Sequence, residues 1–171
     1  MANADLVFPA LGGLYAALSP WIEALLRMIT GLILVPHGLR AGFGFFPDTG
    51  MPVDSLRKLG ASLAATGYRP GLFWAVIVIA TELIGGPLLA LGLFTRPVCV
   101  PIFILLALSV VAHWRDGWFW NTLGIEYPLL WAACAFYFLV HGGGRDLARP
   151  ADRLGVLMVI PRPAVARRAK A

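Results

Sequence analysis

The stretch Gly71–Phe94, GLFWAVIVIATELIGGPLLALGLF, decides the fold, and it contains one charged residue, Glu82, near its centre. As a helix, a run of this length crosses the roughly 30 Å hydrocarbon core of a bilayer. A carboxylate at mid-depth costs about 2.5–3.5 kcal/mol on insertion scales. Glu82 therefore needs a partner or a proton, and the rest of the sequence bears on which it has.

Composition points the same way. Hydrophobic residues make up 59% of the 171 residues and charged residues 13%, against roughly 25% charged in a soluble domain. The expected fold class is all-α: a polytopic membrane protein, built as a four-transmembrane-helix bundle. One membrane domain is expected over residues 1–155, followed by a basic tail over 156–171. Cys99 and Cys134 lie in apolar runs without CxxC spacing, so they read as packing residues. The N-terminal stretch has no basic region ahead of its apolar part, which makes it a poor signal peptide.

Outward from Glu82, the other spans follow. The first is expected over about Trp21–Leu39. Its uncharged part, Met28–Leu39, is only 12 residues, so Arg27 must enter the membrane. Glu23 and Arg27 stand four apart in the favourable order for a helical pair, and Pro36 marks a kink or an end. The polar stretch Arg40–Arg69 includes Val53–Leu59, read as the start of a short amphipathic helix. Asp54 or Ser55 is placed to cap it, and Leu56, Leu59 and Leu63 form its apolar face. A third span runs from Pro97 to about His113, ahead of the interfacial aromatics Trp114, Trp118, Phe119 and Trp120. A fourth runs from Glu126 to His141 and stops at Gly142-Gly143-Gly144.

Residues 145–171 carry seven Lys/Arg and two Asp, which is the whole of the formal net charge of +5. The positive-inside rule then puts the tail and, with four spans, the N-terminus in the cytoplasm. Anionic lipid headgroups suit such a tail better than nucleic acid does.

With the helices alternating in direction, His37, His113 and Glu126 come to one outer level, with Glu82 about two turns deeper. Arg27 and Glu82 are expected to face each other as a buried ion pair. Arg96 reads as a residue reaching for headgroups, and His141 as one that meets the last carbonyls of its helix. Haem and metal are disfavoured. His37 and His113 are the one plausible axial pair, and no His/Glu pair occurs at i,i+3 or i,i+4 spacing.

In order and spacing, Arg27, His37-Gly38 with Arg40, Glu82-Leu83-Ile84-Gly85-Gly86, Leu91-Gly92-Leu93-Phe94-Thr95-Arg96, Glu126-Tyr127-Pro128 and Gly142-Gly143-Gly144 resemble the DoxX family of small bacterial membrane proteins. The resemblance runs from about Trp21 to Gly155. It implies a four-helix membrane bundle in the bacterial inner membrane. It also implies a link to redox systems, since some members are subunits of thiosulfate:quinone oxidoreductases or are tied to thiol and oxidative stress responses. Many members have no assigned activity.

The function expected is a membrane subunit associated with a redox system, with an outer-side polar pocket for a quinone or similar small redox substrate. His37 and His113 would bind the quinone headgroup, and Glu82 and Glu126 would exchange its protons. Its partners would be the lipid bilayer and a redox protein that donates electrons, with homo-oligomerisation left open. Two alternatives stand beside this reading. One is a small transporter or proton path that loads and releases Glu82. The other is a membrane scaffold for a soluble oxidoreductase, with every buried charge structural.

Overall fold

The computed structural model describes residues 8–47 and 51–143. Every regular element among them is helical. Helix α1 spans Gly12–Leu32, α2 Leu34–Phe43, α3 Leu56–Ala65, α4 Gly71–Ala80, α5 Gly86–Leu91, α6 Thr95–Ala112 and α7 Glu126–His141. A π-helical segment, Thr81–Gly85, joins α4 to α5.

Among the described residues, three helices are long and apolar enough to cross a membrane: Gly12–Phe43, Gly71–Leu91 and Thr95–Ala112. The expected fourth, α7, has 16 residues, or about 24 Å at about 1.5 Å per residue, short of the hydrocarbon core. The expected basic tail and the boundary at residue 155 lie outside the described residues, as does Gly144.

The first helix begins at Gly12, nine residues before the expected start at Trp21. Its break falls at Ile33, one turn before Pro36. A proline cannot donate to the carbonyl four residues back, and its ring crowds that carbonyl. The ladder therefore yields upstream of Pro36. The amphipathic helix α3 starts where the capping residue predicts, with the Lys58 backbone N–H donating to Ser55 Oγ at 3.4 Å.

Few side chains are buried, and large apolar ones cover the exterior, among them Trp21, Ile22, Leu72, Phe73 and Val111. That exterior is the surface a bilayer solvates. The interior is small: Leu34, Leu89, Cys99, Ile102, Leu106, Ala132, Ala135 and Phe138. Helices α6 and α7 form the closest pair, with the Phe103 and Phe136 rings 5.4 Å apart.

Glycines set the remaining helix contacts. A Cβ on Gly31 would overlap the Gly86 carbonyl oxygen and lie 2.6 Å from the Ala90 nitrogen. Helices α1 and α5 therefore touch backbone to backbone, the close approach that small residues permit between membrane helices. Gly71 likewise meets the Gly60 carbonyl, joining α4 to α3. Gly31→Ala is expected to lower stability by about 1–3 kcal/mol through overpacking. Gly13→Ala, with nothing within 4 Å of the added carbon, should be neutral or slightly stabilising. Thermal unfolding in detergent tests both; equal effects would remove the close contact as a determinant of stability.

Candidate functional site

Glu82 lies in the π segment, and the local sequence explains the geometry. Thr81 Oγ1 donates to the Ile77 carbonyl at 2.8 Å, a back-bond that loosens helix geometry. Pro87 has no N–H to return to the Leu83 carbonyl. The Gly86 N–H instead reaches the Thr81 carbonyl, five residues back. This is the bond pattern of a π-bulge, a form frequent at functional sites. Glu82 is half-buried, and its Oε2 is buried without a hydrogen-bond partner among the described residues. Across from it is Gly38 of α2, where an added Cβ would sit 3.0 Å from Glu82 Cβ and 2.7 Å from Leu83 Cγ.

The structure corrects the expected Arg27–Glu82 ion pair. Arg27 is buried, but its Nη1 donates to the Gly143 carbonyl beyond α7. Its guanidinium packs over Gly92, whose positive φ of 70° ends α5. The reason is register. Gly42 faces Ile79, Gly38 faces Leu83, Gly31 faces Gly86, and Arg27 faces Gly92 in one antiparallel sequence. Eleven residues separate Arg27 from Gly38, about 16 Å along helical rods. The ion pairs among the described residues are Lys58–Asp54 and His113–Asp116. The Glu23–Arg27 pair is therefore absent as well.

Arg96 joins Arg27 at the same end, its Nη2 donating to the Val140 carbonyl at 3.2 Å. The last carbonyls of a helix lack intrahelical donors. Here two arginines from other helices supply donors at the end of α7. Arg40, given no role by the sequence, is equally buried. Its two terminal nitrogens donate to the Phe46 and Met51 carbonyls, clamping the segment after α2. A basic residue in the last turn of an apolar helix, ahead of a glycine-rich loop, was the available signal.

The other candidates each have their own surroundings. His37 is half-buried and meets the Trp131 ring edge-on at 5.7 Å. Trp131 stacks on Tyr127 at 5.8 Å, and Tyr127 on Trp120 at 5.9 Å. His113 Nδ1 lies 2.9 Å from Asp116 Oδ2. Glu126 Oε2 accepts from the Trp120 backbone N–H at 3.2 Å. His141 stacks on Tyr137 at 4.3 Å. No hydrogen bond, ion pair or ring contact joins any two of His37, His113, Glu82 and Glu126. Among the described residues, no three His, Cys, Asp or Glu side chains gather into a potential metal-binding set.

The DoxX family profile matches residues 22–114, more than half of the chain. No curated protein and no solved structure matches it.

Separate environments for Arg27 and Glu82 have a measurable consequence. Arg27→Met should cost about 1–3 kcal/mol by leaving a buried carbonyl without its donor. Glu82→Leu should be neutral or stabilising, since it removes a buried oxygen that has no partner. The coupling between the two changes should stay within about 0.5 kcal/mol, the additivity of distant sites. A coupling of several kcal/mol in a double-mutant cycle would restore the ion pair.

Proposed function

The chain belongs to the DoxX family, and from that premise we propose that it is the membrane subunit of a redox system. In this reading Glu82 exchanges a proton with a lipid-soluble carbonyl compound of the quinone class. The supporting observation is the buried, unpartnered Oε2 of Glu82, held in a π-bulge. A buried polar atom without a partner is costly, and the protonated acid, donating its O–H to a ligand carbonyl oxygen, would relieve that cost. Quinone reduction takes up protons, so a titratable group in an apolar setting is what the chemistry requires. In the same proposal His37, one residue before the Gly38 that abuts Glu82, hydrogen-bonds the second carbonyl. His113 and Glu126, nearer the surface loop, would pass protons to water. Electrons come from a partner protein, since the sequence has no redox motif. The scaffold alternative loses support, because Arg27 does not neutralise Glu82.

In the same proposal α7 is the fourth crossing, its short length met by local thinning of the bilayer. The protein then lies in the bacterial inner membrane with both termini cytoplasmic, as the basic tail directs.

Two experiments test these statements. Purified protein should carry extractable quinone, and Glu82→Gln should bind much less of it while remaining folded. Equal quinone in wild type and variant, or none in either, removes Glu82 from the proposal. For orientation, Ser62→Cys in intact spheroplasts should react with an impermeant thiol reagent and Ala164→Cys should not. The reverse pattern overturns the topology.

A further inference from the structure

One face of α4 carries residues that the proposed function leaves unused. Leu72, Val76, Ile79 and Leu83 recur at three- and four-residue spacing, so they share one side of the helix. They line two troughs that meet at Leu56 of α3. The upper trough lies between α3 and Leu72, with Arg57 and Ala61 on its rim. The lower lies between the end of α2 and α4, reaching Leu83 and Ile84. Gly42 lets the end of α2 come close to α4 here, since a Cβ there would press on Ile79 Cγ2 at 3.3 Å. From Leu72 to Leu83 the stripe extends about 16 Å. That is close to the depth of one leaflet, half of a roughly 30 Å core.

The lining is apolar throughout except for Arg57. Arg57 is exposed and has no hydrogen bond or ion pair among the described residues. Its neighbour Lys58 is held by Asp54 at 2.6 Å. Two adjoining, shallow apolar troughs that together extend over leaflet depth, with an unengaged guanidinium on the rim of one, are complementary to an amphiphile with an anionic head. Guanidinium binds phosphate through paired N–H donors. We propose that this trough binds an anionic phospholipid, one acyl chain along α4 and the headgroup phosphate on Arg57. Neither trough includes Glu82, so the site stands apart from the redox proposal.

The full-length protein in detergent would be exchanged against vesicles of equal phosphatidylglycerol and phosphatidylcholine, and retained lipid read by native mass spectrometry. Wild type should retain phosphatidylglycerol preferentially. Arg57→Ala should reduce that retention about fivefold, the effect of one basic residue at an anionic surface, and leave phosphatidylcholine unchanged. Arg57→Lys should keep most of the preference. Val76→Trp, which fills the trough, should reduce retention of both lipids, with circular dichroism confirming the fold. Unchanged retention in Arg57→Ala and Val76→Trp overturns the proposal. So does a loss in Val76→Trp with no headgroup preference in any variant. If Val76→Trp expels quinone and spares phospholipid, the trough belongs to the redox substrate and the lipid assignment fails.

Discussion

The backbone contact between Gly31 and Gly86 sets the register on which the other placements depend. Once the Gly86 carbonyl rests where a Cβ would stand, the first and second crossings cannot slide past each other. Every residue along both rods is then matched to a level. Gly38 comes opposite Glu82 and Leu83, and Arg27 comes opposite Gly92. Membrane helices have little hydrophobic drive to associate, because lipid tails are as apolar as leucine. Close backbone packing supplies specificity in its place. A one-turn slip would put Arg27 against the side chains of α5, away from the glycine that makes room for its guanidinium.

The π segment is the second determinant. Thr81 and Pro87 bracket it, one by bonding back to Ile77 and the other by removing a donor. A π-turn adds a residue to the turn and so breaks the 3.6-residue phase between α4 and α5. The face of α4 that lines the trough therefore does not continue along α5. Glu82 sits within this change of phase, where neither helix's periodicity predicts its direction.

The sequence made the elements largely legible and their partnerships much less so. Helix α7 occupies the expected Glu126–His141, α6 starts two residues before the expected Pro97, and Ser55 caps α3. These features follow from apolar run length, capping chemistry and glycine stops, all local. The break expected at Pro36 falls three residues upstream, at Ile33, and the π segment was missed, because each lies upstream of the proline that causes it. That His113 and Glu126 flank one loop was legible too. Azimuth was not. Convergence at one level did not bring His37, His113 and Glu126 into contact, because level says nothing about which way a helix turns a side chain. Arg27 and Arg40 were misjudged for another reason. Both bond to backbone carbonyls, and sequence patterns carry no mark of where a carbonyl is left over.

That last point separates the buried charges by chemistry. A helical bundle in lipid uses nearly all its backbone N–H groups internally, whereas carbonyls have a second lone pair and helix ends leave four free. Spare acceptors are therefore common in such a protein and spare donors scarce. Arginine, which only donates, finds partners readily: Arg27 and Arg96 at the end of α7, and Arg40 in the segment after α2. An ionised carboxylate only accepts, and it has almost nothing to accept from. Glu126 obtains a backbone N–H because it sits beside an irregular loop. The Oε2 of Glu82, inside a continuous helical rod, obtains none. The terminal nitrogens of these arginines are thus engaged by the fold itself, although the Nε of Arg27 and of Arg40 has no partner among the described residues; the Glu82 Oε2 differs in being an acceptor, which a proton or an outside donor would complete.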